Sequence, residues 1–239
     1  MDKEPLVYPM RINRYLALKG YCTRRQADEF ITKGLVTVNA KKAVLGDKVN
    51  EADEIIVSKN ALLKNAMRYR YIAYHKPIGV STDVQKDTKS ISSSLPALRG
   101  LSPLGRLDKD SHGLILLTND GRLTDRLLNP AHAHEKEYFI RVDKSISDTF
   151  MRHMERGVFI EGYTTKPAKA RRAGETIFYI TLTEGKKHQI RRMCAAEGYK
   201  VLELTRVRVM NIKLGDLKEG AYRDLTEEEL HTLLEQIGL

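Results

Sequence analysis

Four consecutive apolar residues, Leu114-Ile115-Leu116-Leu117, follow the stretch Gly105-Arg106-Leu107-Asp108-Lys109-Asp110-Ser111-His112-Gly113 and are left through Thr118-Asn119-Asp120-Gly121. A short apolar run bounded by turn-forming residues reads as a buried strand, so the chain must build a core around it. The irregular loop ahead of that strand places one carboxylate, Asp108, between chain-bending glycines, with Arg106 two residues before it. A carboxylate held in this way suits nucleophilic or general acid–base work on a polyanion. A lone Arg-x-Asp beside a strand is more often a surface ion pair, so the rest of the chain has to decide.

With 239 residues, 41% of them hydrophobic, the chain is long enough for two ordinary domains with real cores. Its 41 Lys and Arg exceed 31 Asp and Glu, a net charge of +10 that favours a polyanionic partner. Residues 1–68 carry 13 basic and 8 acidic side chains, residues 69–215 carry 26 and 16, and residues 216–239 carry 2 and 7. The excess is interleaved with apolar residues, as in a folded groove rather than a basic tail, and the acidic end is expected to face away from nucleic acid. Cys22 and Cys194 lie far apart without metal-ligand spacing, which argues against a zinc site and against a disulfide framework. No apolar run approaches the roughly 20 residues that span a bilayer, and Met1-Asp2-Lys3-Glu4-Pro5 does not read as a signal peptide. A cytoplasmic location and no membrane partner are expected.

The first block has the pattern of a small module with two short helices. Ile12, Tyr15 and Leu16, then Ala27, Phe30 and Ile31, recur at helical spacing, and Thr23 with Gln26 forms a capping box. Gly34 can close the second helix, and 35–39 and 55–57 read as strands. Arg11, Arg14, Lys19, Arg24, Arg25 and Lys33 occupy the polar helix faces, where they suit phosphate contacts as well as plain solvation. The order Arg11-Ile12-Asn13, Gly20, Thr23-Arg24-Arg25, Ala27, Ile31, Gly34, Val36, Val38, Asn39 resembles the S4 RNA-binding domain over residues 10–58. Ala40 and Glu51-Ala52-Asp53 depart from that pattern, which leaves the form of the hairpin turn open.

Residues 59–68 read as a linker, and 69–239 as a second domain. Strands are expected at 71–74, 138–142, 177–183 and 201–210, with helices at about 120–129, 145–156 and 186–197. This mixed order predicts an α+β domain around a mostly antiparallel mixed sheet. Thr226 with Glu229 forms a capping box for a final helix, with Leu225 and Leu230 as a staple and Leu230, Leu233, Leu234 and Ile237 along one face. The polar stretch 81–94 is either a disordered surface loop or one that clasps a substrate.

Three more patches bear on Asp108: His134-Glu135-Lys136-Glu137-Tyr138, Gly185 to Cys194 (GKKHQIRRMC), and Leu204 to Ile212 (LTRVRVMNI). On a helix Ile190, Met193 and Cys194 share one face, and His188, Arg191 and Arg192 another. A strand aromatic such as Tyr138 can stack on an extruded base, although most such tyrosines are core or rim. With the loop of Asp108, these patches occur in the order found in pseudouridine synthases, and the chain resembles the branch of that family that modifies ribosomal RNA. The resemblance covers nearly the whole chain. It implies that Asp108 is the catalytic residue, that Tyr138 lines the uridine pocket, and that Arg191 ion-pairs with Asp108 and keeps it ionised. Arg106 becomes the candidate to fill the space left by the flipped base, with Arg192 as a further RNA contact.

The implied reaction isomerises one uridine to pseudouridine without cofactor or metal. Asp108 either attacks C1′ of the ribose or takes a proton from C2′, the glycosidic bond breaks, and the uracil rejoins through C5, with Tyr138 stacked on the ring. The resemblance points to 23S ribosomal RNA as the target, with a transfer-RNA anticodon loop as a second candidate and 16S ribosomal RNA as the rival. Nothing in the chain calls for more than a monomer. Two other readings remain: a noncatalytic S4-type ribosome-binding or assembly protein, and a nucleoside hydrolase with Asp110 as its second carboxylate, which lies too close in sequence to Asp108 to convince.

Overall fold

A computed structural model describes residues 7–58, 69–82, 89–129 and 132–239. The chain divides into two compact units, one of residues 1–69 with 119–122 and one of 70–118 with 123–239. The expected linker at 59–68 and the middle of the 81–94 stretch, residues 83–88, lie outside the described residues.

In the first unit β1 (Met10–Arg11) leads into α1 (Ile12–Leu18), followed by α2 (Arg24–Thr32). The capping box of α2 forms as the spacing predicts: the Gln26 amide donates to Thr23 Oγ1, and the Gln26 side chain accepts from the Thr23 amide. Ile12, Leu16, Ala27, Phe30 and Ile31 are all buried in one core with Val36 and Val49. Gly34 takes up the left-handed conformation after α2. Strands β2 (Val36–Val38), β3 (Lys41–Lys42) and β5 (Ile55–Val57) form a sheet in the order β3-β2-β5, while β4 (Lys48–Val49) pairs with β1. The hairpin turn is now defined: Asn39 and Ala40 both have positive φ, 49° and 66°. A two-residue turn of this kind fits the strand twist, and an alanine in its second position is strained.

The second unit is built on one sheet of nine strands. These are β6 (Tyr71–Lys76), β7 (Ser102–Leu104), β8 (His112–Thr118), β9 (Lys136–Val142), β12 (Lys169–Arg172), β13 (Ile177–Leu182), β14 (Val201–Val209), β15 (Ile212–Lys213) and β16 (Tyr222–Asp224). A small hairpin, β10 (Phe159–Ile160) with β11 (Tyr163–Thr164), stands apart from it. The main order is β12-β13-β9-β14-β8-β6-β16, with β15 on β14 and β7 on β8. Its pairings are antiparallel except β14 with β8, as the expected mostly antiparallel mixed sheet requires.

The helices of this unit are α3 (Ile91–Ser94), α4 (Arg122–Leu128), α5 (Asp148–Arg156), α6 (Gln189–Ala196) and α7 (Glu227–Gln236). Strand β8 is apolar from Leu114 to Leu117, in keeping with cover on both its faces. Leu114 and Leu116 pack with Leu123, Leu127, Leu233 and Ile237, while Ile115 and Leu117 pack with Ile72, Ile91 and Leu98. A third core, under β9 and β13, gathers Phe150, Met154, Phe178, Met193 and Cys194.

Helix boundaries differ from the expected ones where a cap intervenes. Ser147 accepts from the Phe150 amide and starts α5 three residues later than 145. Helix α6 begins at Gln189 because His188 is left-handed, φ 51°, and a left-handed residue cannot continue a helix. Thr226 and Glu229 form the capping box of α7.

Candidate active site

The residues around Asp108 are held by main-chain hydrogen bonding. Every backbone carbonyl from Arg106 to Asp110 accepts a hydrogen bond, each from a different part of the unit. Arg206 Nη1 donates to Arg106 at 3.1 Å, and the Thr82 hydroxyl to Leu107 at 2.7 Å. The Ser111 amide donates to Asp108 at 3.0 Å and the Gly79 amide to Lys109 at 2.8 Å. Arg191 Nη2 donates to Asp110 at 2.8 Å. Thr82 also accepts from the Leu107 amide at 3.2 Å, so one buried hydroxyl satisfies both main-chain groups of the residue before Asp108.

Beneath this loop lies Lys76, a fully buried lysine at the end of β6. Its Nζ donates to the carbonyls of Pro77 and Val80 at 2.9 and 2.8 Å, which shapes the turn that brings Gly79 and Thr82 to the loop. Burial pulls the Lys76 ammonium down to about 8, and the nearby Arg206 charge acts in the same direction, against the pull of Asp108, Asp110 and Glu219.

The Asp108 side chain stays 34% exposed and opens into a cleft of about 560 Å³. Arg106, Tyr138, Lys136, His188 and Arg206 line the same cleft. That volume is within the range of small-molecule sites, roughly 300–1,000 Å³. Arg106 is exposed at its rim, and its side chain makes no hydrogen bond or ion pair among the described residues. Tyr138 sits on β9, opposite Arg206 of β14. Arg208, two residues on, bonds both Glu135 and Glu137 at 3.0 Å and so fixes the HEKEY segment on either side of Lys136. Its guanidinium in turn holds the Glu135 carboxylate below its ordinary range, after a larger effect of the Lys169 hydrogen bond. Burial lowers the Lys136 ammonium, again with Arg206 adding to the effect.

Two expectations about the arginines need correction. Among the described residues Arg191 makes no ion pair with Asp108: its guanidinium is engaged by the Asp110 carbonyl, and the ion-pair contact of the carboxylate is with His188, Nε2 lying 3.6 Å from Oδ1. The reason is the late start of α6, which turns His188 out of the helix and over the loop. Arg192 does not share that face either, because it reaches the other way and pairs with Glu161 at 2.7 Å. In the first unit Arg11, Arg14, Arg24, Arg25 and Lys33 are all exposed, and among the described residues only Lys33 has an ion-pair partner, Glu29 at 3.8 Å.

Sequence reasoning overlooked Lys76, Gly79 and Thr82, and it named the segments of Lys136 and Arg206 without giving these two residues a role. The first three lie in a strand and turns with no chemical pattern of their own. Arg206 did leave a sign: a cation among the buried residues of β14, where Leu204, Thr205 and Val209 are apolar or small.

The fold is a mixed α and β one with the carboxylate-bearing loop of Asp108 facing a cleft, and comparison with known proteins gives the class. The family of RNA pseudouridylate synthases matches residues 70–196, and the S4 domain matches residues 10–55. Dual-specificity RNA pseudouridine synthase RluF of Salmonella typhi is 42% identical over 229 residues, covering 95% of this chain and 79% of that protein. Ribosomal large subunit pseudouridine synthase B of Bacillus subtilis is 34% identical over 235 residues, 93% of this chain and 95% of that one. A crystal structure of a pseudouridylate synthase, 29% identical, superposes with a TM-score of 0.70 over 94% of this chain and 99% of the other. The chain belongs to the RNA pseudouridylate synthase family and carries an S4 domain. It is an RNA pseudouridine synthase, an isomerase acting on RNA.

Proposed function

We propose that this enzyme isomerises a uridine of 23S ribosomal RNA, with a transfer-RNA anticodon loop as a second substrate, and that Asp108 is its catalytic residue. The observation that carries the reading is the immobilised loop: five consecutive carbonyls are pinned while the carboxylate between them is left to face the cleft. The chemistry needs this arrangement. A base inside a helix must be flipped out before its ribose is reached, and Arg106 at the rim is placed to occupy the vacated space. Asp108 then opens the reaction at the sugar, by attack on C1′ or removal of the C2′ proton, and N1 leaves with the bonding electrons. Tyr138 stacks on the detached ring while it turns, and C5 forms the new bond to C1′ as the Asp108–C1′ ester breaks or, on the other route, as the proton taken from C2′ is returned there; the C5 proton is then lost and N1 takes one up.

The reaction is an isomerisation, with neither oxidation nor hydrolysis, and the reading assigns it no metal or cofactor. Residues 10–58 hold the RNA through Arg11, Arg14, Arg24, Arg25 and Lys33, and residues 69–239 perform the chemistry as a monomer in the cytoplasm. Arg191 takes part by fixing the Asp110 carbonyl, and Arg192 contacts RNA only after leaving Glu161. The target follows the names of the relatives, which include a large-subunit enzyme and a dual-specificity one.

The test is pseudouridine mapping on total RNA from cells lacking the gene, rescued with the wild-type chain or with Asp108→Ala. Loss of a 23S site that only the wild type restores supports the target and the residue together. Persistence of every site, or rescue by Asp108→Ala, sinks the assignment.

A further inference from the structure

We infer that Arg206 is a positioning residue for the reaction, clamping the loop of Asp108 at both ends and joining it to the strand of Tyr138. The inference rests on the assignment of Asp108 above. Arg206 is 2% exposed on β14, between β9 and β8. Its register partner on one side is Tyr138 and on the other Gly113. Paired residues on adjacent strands project to the same face, so Arg206 stands in the floor of the cleft between the base-stacking residue and the end of the catalytic loop.

Its guanidinium spans the loop. Nε donates to the carbonyl of Leu114 at 2.6 Å and Nη1 to that of Arg106 at 3.1 Å, so one planar group ties together the two ends of the segment that carries Asp108. Nη2 is buried with no partner, and no carboxylate ion-pairs with Arg206 among the described residues. A buried cation without a counter-ion costs stability, and an apolar side chain of the same size would serve a core better. What the guanidinium supplies instead is geometry. Its rigid fork donates to two carbonyls at once in fixed directions, which the single rotating ammonium of a lysine does not reproduce. The other pins on the loop, from Thr82, Gly79 and Arg191, hold its middle, and among the described residues Arg206 is the side chain that bonds carbonyls at both of its ends.

The experiment compares wild type with Arg206→Lys and Arg206→Met by hydrogen–deuterium exchange, RNA affinity and single-turnover pseudouridine formation, with Asp108→Asn as the inactive control. Both variants should speed amide exchange within 105–113 by about tenfold while leaving 136–142 and 177–182 unchanged. The single-turnover rate should fall about 10- to 100-fold with RNA affinity within about threefold, because a small displacement of a reacting group is costly in rate. Unchanged exchange in 105–113 overturns the inference, as does faster exchange at an undiminished rate. Failure of both variants to fold overturns it too, since Arg206 would then serve the fold and not the loop. Should the wild type leave the chosen RNA unmodified, the target assignment is at fault, and the exchange measurement still decides whether Arg206 clamps the loop.

Discussion

Gly113 of β8 faces Arg206 of β14 so closely that a Cβ on the glycine would lie 2.4 Å from the Arg206 carbonyl oxygen and 2.5 Å from its amide nitrogen. Gly113 also has φ 111°, a conformation L side chains rarely adopt. Both facts concern the same place, the parallel ladder through which the loop of Asp108 enters the sheet. Gly113→Ala should therefore cost about 3 kcal/mol, through clash and strain together. Urea unfolding at constant m-value measures it, and a loss below about 0.5 kcal/mol would contradict the close approach.

Asp108→Asn keeps the shape of the loop, since the side chain carries none of its hydrogen bonds. Pseudouridine formation should fall by on the order of 1,000-fold or more, while RNA affinity stays within about threefold. Filter binding and single-turnover assays on the same RNA separate the two effects.

Lys76 gives a pH signature. Its amine is lowered to about 8 in the folded chain, against about 10.5 unfolded, so between those values the unfolded chain binds more protons and stability rises with pH. Below about 8 the ammonium is charged in both states and the full penalty is present. Lys76→Met has no such group, so wild type should gain on the order of 3 kcal/mol relative to it between pH 8 and 10.5. Paired denaturation curves at both pH values check this. A constant difference would show that burial does not shift Lys76.

Ala40 is left-handed in the turn between β2 and β3. Ala40→Gly should stabilise the first unit by about 1 kcal/mol, because glycine takes that conformation without the Cβ clash. Thermal unfolding of the full chain followed by a probe in residues 10–58 would register the gain.

Arg24 and Arg25 lie at the start of α2, exposed and without ion-pair partners among the described residues. Arg24→Gln with Arg25→Gln should weaken RNA binding and reduce the slope of log affinity against log salt by about one for each phosphate that the pair no longer neutralises. An unaltered slope would place the RNA elsewhere on this unit.

Much of the fold and part of the site are legible in the sequence. The capping boxes at Thr23 and Thr226 depend on residues three apart, and the buried strand at 114–117 on its own apolar run. The loop of Asp108 announces itself by its glycines and its charge. What cannot be read is which group stands against the carboxylate. Periodicity puts His188 on the helix with Arg191, but one left-handed residue moves the helix start and with it the reach of both side chains.

The chain's own residues determined that the capped helices α2 and α7 and the buried strand β8 form, because caps, turns and apolar spacing act over a few neighbours. They also determined that a carboxylate would sit in a loop at the edge of a buried strand. Only the tertiary structure decided how that loop is held, since its carbonyls are met by Thr82, Gly79, Arg191 and Arg206, residues that lie 25 to 100 positions away in the chain. Hydrogen bonds of this kind form between main-chain carbonyls and distant donors, and a carbonyl is the same in every residue, so no pattern in the sequence marks which ones will be chosen.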